Sequence, residues 1–159
     1  MRQRHVSFLI AAIFVLAATG SAQEKMQAEH ARITTPDQAK WNPGPASLPP
    51  GAQAAILEGD PTKAGDFTMR LKMPDGYKIP PHHHPKREHV TVVSGTFNVG
   101  MGDKWDDAKL GALPAGTYAY INPGSNHFAK ATGETIIQLH GVGPWSLVYV
   151  NPADDPRKK

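Results

Sequence analysis

The chain has no cysteine. That excludes disulfide staples, lipid attachment through a thiol, and the closed cysteine-rich sets that hold most structural zinc. Stability has to come from a core, and any metal site has to use histidine and carboxylates. No apolar run reaches the roughly 20 residues that a membrane-spanning helix needs. Strong net charge is also missing, with 17 Lys and Arg against 14 Asp and Glu. Losing Arg2 and Arg4 with a leader would bring the balance close to neutral. Composition therefore gives no reason to expect a nucleic acid or an anionic membrane surface as partner. Convincing helical periodicity is absent after Arg32, and no internal repeat signals a second domain.

What is present begins with a leader pattern. Arg2 and Arg4 precede an apolar run over residues 8–18, and small Gly20 and Ala22 stand three and one before a cut after Ala22. This is the three-part signature of a secretory signal peptide. It predicts a periplasmic or secreted protein with no membrane attachment once the leader (1–22) is removed. Residues 23–51 follow as a polar, then proline-rich arm. Pro43, Pro45, Pro49 and Pro50 bar a helix or a central strand there. The segment either lies on the folded domain, anchored by Trp41 and Leu48, or is a flexible linker.

From Ala52 the signals are β. Residues 54–57 form a short strand ending at Gly59-Asp60-Pro61. Phe67, Met69, Leu71 and Met73 alternate with Thr68, Arg70 and Lys72, which predicts a strand with one buried and one wet face. Further strands are expected over 88–93, 96–101, 117–121, 127–131, 135–140 and 146–150. Ser94-Gly95 is read as a hairpin turn, Gly133 as another turn, and 151–159 as a frayed polar tail. Asp103, Asp106 and Asp107 fit no EF-hand spacing and read as a solvated loop. Many short strands with frequent turns predict one all-β barrel or sandwich over 52–150.

Four of the 8 histidines, His82, His83, His84 and His89, crowd the stretch from Gly76 to Gly95, and His127 follows in a Gly-rich setting. On an extended segment His82 and His84 point the same way, with Cα atoms roughly 6.5–7 Å apart, and His83 points away. Pro80, Pro81 and Pro85 keep the segment extended. Glu88 shares a face with Val90 and Val92, where an unpaired carboxylate is costly unless a cation stands beside it. A functionless histidine run would not need that glutamate. The helical zinc-protease motif HExxH is absent, and the inverted form is missed by one residue.

At these residues the sequence resembles the cupin superfamily. Its first motif, G-x5-HxH-x3-E-x6-G, is matched by Gly76, His82, His84, Glu88 and Gly95. The second motif is matched by Gly116, Gly124 and His127, whereas Asn122 and Ala131 replace its usual proline and asparagine. The resemblance implies a single-domain cupin barrel, a double-stranded β-helix or jelly roll, with the proline-rich segment as an N-terminal arm. It also implies one divalent transition metal ion on His82, His84, Glu88 and His127. Within the superfamily the chain looks most like small exported bacterial cupins.

The expected ligand set suits Mn or Fe first, with Ni, Cu and Zn also compatible. Phe97, Val99, Met101, Tyr118 and Phe128 are candidate pocket residues, with Trp145. Gln138, His140 and Tyr120 are the polar candidates to hold a substrate or a bound water. The reading is a metal-dependent oxidoreductase of dioxygenase type acting on a small organic molecule. The alternative is a metal-bearing binding or sensing module without catalysis. A small-molecule ligand is the expected partner, and a homodimer is left open.

Overall fold

Two long strands carry the architecture. In the computed structural model, which describes residues 31–159, they are β5 (Glu88–Met101) and β8 (His127–Gly143). They run antiparallel along nearly their whole length, from His89 opposite His140 to Met101 opposite His127. The pairing slips twice, between Val92 and Ser94 and between Ser94 and Thr96. Gly95 lies inside that irregularity with φ +73°. A Cβ there would stand 2.5 Å from the Glu134 carbonyl oxygen and 2.6 Å from Thr135 Oγ1. Only glycine meets both the backbone angle and the close approach.

This corrects the expected hairpin at Ser94-Gly95 and the expected turn at Gly133. Both strands continue through these points and bend. Across its bend β8 changes neighbours, pairing β4 before it and β3 after it.

The remaining strands are β1 (Asn42–Pro43), β2 (Gln53–Glu58), β3 (Gly65–Met73), β4 (Lys78–His83), β6 (Gly111–Pro114), β7 (Tyr118–Ile121) and β9 (Val148–Tyr149). The nine strands form one sheet with a path β1-β2-β3-β8-β4-β9, while β5 pairs with β6, β7 and β8. All pairings are antiparallel. β9 is shorter than the last strand read from sequence. Short 3-10 turns are the only helical elements among the described residues, and no helix there is long and apolar enough to cross a membrane.

The inner face makes one core. Phe67, Met69, Leu71 and Met73 of β3 alternate inward, and Val90 and Val92 of β5 and Ile137 and Leu139 of β8 join them. The proline-rich arm packs on this barrel: Leu48 enters the core, and Lys72 Nζ lies 4.6 Å from the Trp41 ring centre. The tail is also tied down, against the expectation of fraying. Arg157 holds Asp155 and donates to the Leu147 carbonyl at 3.2 Å. The predicted leader (1–22) lies outside the described residues.

Candidate metal centre

Three elements bring the interior histidines together. His82 is on β4 and stands directly opposite His127 at the start of β8. His84 lies just past the end of β4, two residues on and on the same side. The His82 and His127 ring centres are 4.2 Å apart, and His84 is 5.0 Å from His82 and 5.3 Å from His127. One ring nitrogen from each of the three falls within 4.8 Å of the others. All three residues are buried. His83 turns outward and its Nδ1 pairs with Asn126 Oδ1 at 3.0 Å.

Each ring is oriented by a backbone carbonyl. His82 Nδ1 bonds the Pro80 oxygen at 2.7 Å, His84 Nδ1 the Ser146 oxygen at 2.8 Å, and His127 Nδ1 the Ser125 oxygen at 3.0 Å. A carbonyl only accepts, so each Nδ1 carries a proton and Nε2 is the nitrogen left for a metal. This is how histidines are held for a metal. His84 Nε2 is buried and has no hydrogen-bond partner.

Burial pushes the His82 pKa well below the ordinary imidazole value, with the neighbouring His127 and His84 adding to it. Burial also lowers the His127 pKa, against the opposing pull of the Ser125 carbonyl and Glu88. Neutral imidazoles with inward lone pairs are what a divalent cation takes. The residues present therefore fit one.

Glu88 lies beside this trio. Its Oε2 is 3.4 Å from His84 Nε2, close but outside hydrogen-bonding geometry. Its Oε1 accepts a 2.9 Å hydrogen bond from Trp145 Nε1, and the Trp145 ring stacks on His84 at 5.5 Å. The carboxylate is outside the mutually close set of three nitrogens. The sequence reading placed Trp145 in the pocket wall but missed this hydrogen bond, because its partner is far away in the chain.

The segment following β8 supplies most of the site's support. Trp145 holds Glu88, Ser146 orients His84, and Leu147 lines the cavity. The Tyr149 ring lies 6.0 Å from His82. Apart from the three histidines and Glu88, the cavity walls are apolar and include Leu71, Phe97, Ile137 and Leu139. About 20 Å³ is open to the centre of a water-sized molecule, enough for about one water.

The polar candidates Gln138, His140 and Tyr120 do not line this cavity. Strand alternation sends Ile137 and Leu139 inward, so Gln138 and His140 point out. Gln138 accepts from Arg70 Nε at 3.1 Å, and His140 stacks on His89 at 4.7 Å. Ile121 is the inward residue of β7, leaving Tyr118 and Tyr120 on the outside, each 54% exposed. Met101 is likewise exposed, and Phe128 is buried against Trp105 on another side.

Curled antiparallel sheet, bent long strands and an interior histidine cluster define a single cupin domain. The chain belongs to the ChrR cupin-like domain family, whose profile matches residues 29–146. No curated protein matches the chain. Solved structures similar in fold include a candidate acetylacetone dioxygenase from Methylibium petroleiphilum PM1. It has TM-score 0.60 and 22% identity, covering 79% of this chain and 84% of that one. The polyketide cyclase RemF from Streptomyces resistomycificus is similar at TM-score 0.56 and 16% identity, covering 80% and 90%. An RmlC-like cupin from Shewanella frigidimarina NCIMB 400 is similar at TM-score 0.54 and 17% identity, covering 70% and 89%.

Proposed function

We propose that this protein is an exported mononuclear metal cupin that acts as a dioxygenase-type oxidoreductase on a small organic molecule. The observation that carries the reading is the set of three buried, converging imidazoles, each fixed by a carbonyl on its own Nδ1. His82, His84 and His127 would hold the ion. Glu88 Oε2, the oxygen that Trp145 leaves free, is the fourth donor. Iron or manganese is favoured, and a bound ion of this kind supplies Lewis acidity and electron exchange with O₂.

The chain's own groups have separate tasks. The carbonyls of Pro80, Ser125 and Ser146 keep the imidazoles aimed. Glu88 is the one carboxylate lining the cavity, and the Trp145 hydrogen bond on Oε1 leaves Oε2 for the ion. The apolar walls keep bulk water away. The candidate acetylacetone dioxygenase of the same fold supports this reading by likeness only.

The second reading, a metal-bearing binding or sensing module, is favoured by one fact: no acid or base other than the histidine trio and Glu88 lines the cavity. Oxygen uptake decides between them. Protein reconstituted with Fe²⁺ or Mn²⁺ should consume O₂ in the presence of compact diketones, enols or phenols. Ligand binding without turnover for every metal would establish the second reading instead. Export rests on the leader pattern alone, and an amino terminus of Gln23 on protein recovered from the periplasm tests it.

A further inference from the structure

Two walls of the metal cavity are not part of the sheet: the segment 144–147, which carries Trp145 and Leu147, and the loop between β1 and β2. Residues 45–51 leave β1 and return to β2 as a closed loop, its ends pinned by the 2.9 Å hydrogen bond from Gly44 N to the Ala52 oxygen. Loops with joined ends of this kind often act as units. Its outer residues Ala46, Pro50 and Gly51 are exposed, while Ser47 and Leu48 are buried. Leu48 is 4% exposed and lines the same cavity as His82, His84, His127 and Glu88.

The loop is held differently from the sheet walls. The β3–β8 wall is a ladder of nine paired positions from Gly65–Gly143 to Met73–Thr135. The loop has no ladder. Its prolines lack the N–H that a ladder would use. What fixes it to the barrel, besides Leu48 itself, are two tyrosine hydroxyls: Tyr77 donates to the Pro49 oxygen, and Tyr149 donates to the Ser47 oxygen at 2.7 Å. Gly51, with φ +110°, provides a joint at one end that other residues would resist. Opening this wall costs two side-chain hydrogen bonds and the withdrawal of one leucine; opening a sheet wall costs ladder, and opening 144–147 costs the Trp145–Pro61, Trp145–Glu88, Ser146–His84 and Arg157–Leu147 bonds.

The free space beside the histidines holds about one water. A substrate larger than that needs a wall to give way. We propose that the loop 45–51 is the door of the metal cavity, that Leu48 is its plug and sets the size of what enters, and that the ligand class is a compact, uncharged molecule with a metal-binding donor. The last clause follows from the walls: apart from Glu88 and the histidines they offer no charged or polar side chain to hold an ionic substrate. The proposal rests on the metal-site reading above and deepens it.

The test uses the full mature chain loaded with Co²⁺, whose visible spectrum reports ligands on the ion, and two neutral donors, imidazole and 4-phenylimidazole. Wild type should bind imidazole and exclude 4-phenylimidazole. Leu48→Ala should admit both. Tyr77→Phe, which removes one latch and no wall atom of the cavity, should bind imidazole about fivefold faster, the weight of one net hydrogen bond on the open population. Cobalt bound equally, with both donors behaving alike in all three proteins, would make the loop a fixed wall and overturn the proposal. Cobalt that fails to bind wild type, or that binds His84→Ala as well, would remove the metal reading itself and this proposal with it.

Discussion

Trp145 Nε1 donates a 2.9 Å hydrogen bond to Glu88 Oε1 across the barrel, from a segment that follows the last long strand. One side chain thus satisfies half of a buried carboxylate while its ring covers His84. Glu88 is only 7% exposed, so a lost partner is felt. Trp145→Phe keeps most of the ring and deletes the donor. A hydrogen bond to a charged acceptor is worth about 1.5–3 kcal/mol, and urea denaturation of the metal-free variant should show a loss of that order. An unchanged midpoint would mean that the bond contributes nothing to the fold.

The histidine trio makes a sharper demand. His84→Ala removes a buried Nε2 that has no partner in the protein. His83→Ala removes only an outward hydrogen bond to Asn126. Metal content of the two purified proteins should therefore diverge, with His84→Ala nearly empty and His83→Ala near wild type. His140→Ala should also keep its metal, since His140 stacks on His89 on the outer face. Equal retention in all three would break the assignment.

Glycine at the bend of β5 can be tested against glycine at the bend of β8. Both have positive φ, +73° at Gly95 and +68° at Gly133. A Cβ at Gly133 meets nothing within 4 Å, whereas one at Gly95 collides with the Glu134 backbone and Thr135. Gly133→Ala should cost about 1–2 kcal/mol of backbone strain. Gly95→Ala adds overpacking and should cost about 3 kcal/mol or more. Thermal unfolding of both variants reads the difference, and equal losses would show that the collision relaxes freely.

These residues also show what was legible. The face shared by His82 and His84 follows from a period of two that three prolines protect, and Glu88 announces itself by sharing a face with Val90 and Val92. Both are local facts. Gly95 was legible as a turn glycine but not as a bend, because the same positive φ serves a reversal and a bulge. The choice depends on β8 lying alongside with its own irregularity. Inward and outward on β8 depended likewise on which residues meet the core, and Gln138 and His140 went out because Ile137 and Leu139 went in. The links from Trp145 to Glu88, Ser146 to His84 and Tyr149 to Ser47 join residues far apart in the chain, and nothing local to either partner encodes them.

The tail carries a prediction of its own. Arg157 is held by Asp155 and donates to the Leu147 carbonyl, and Leu147 lines the metal cavity. Deleting residues 151–159 removes that anchor from the segment that orients His84 and Glu88. The truncated protein should fold with lower thermal stability and release metal to a chelator faster than wild type. Arg157→Ala in the full chain should reproduce part of both effects. Wild-type release from both proteins would make the tail an ornament of the fold rather than a support of the site.

The last expectation concerns pH and has a definite sign. Burial lowers the His82 and His127 pKa values below the ordinary imidazole value, which is about 6.5. As pH falls through that value the unfolded chain takes up protons that the folded barrel refuses. The unfolded state then binds more protons, so stability rises with pH up to about 6.5 and is level above it. Each refused proton costs up to about 1.4 kcal/mol per pH unit below that point. Urea midpoints of metal-free protein from pH 7.5 to 5 should fall steadily on the acid side. His82→Gln should flatten the slope by one proton's worth, and a midpoint independent of pH in the wild type would contradict buried, neutral His82 and His127. A metal ion competes with the same protons, so its affinity should fall over the same range, which equilibrium competition with a chelator measures independently of folding.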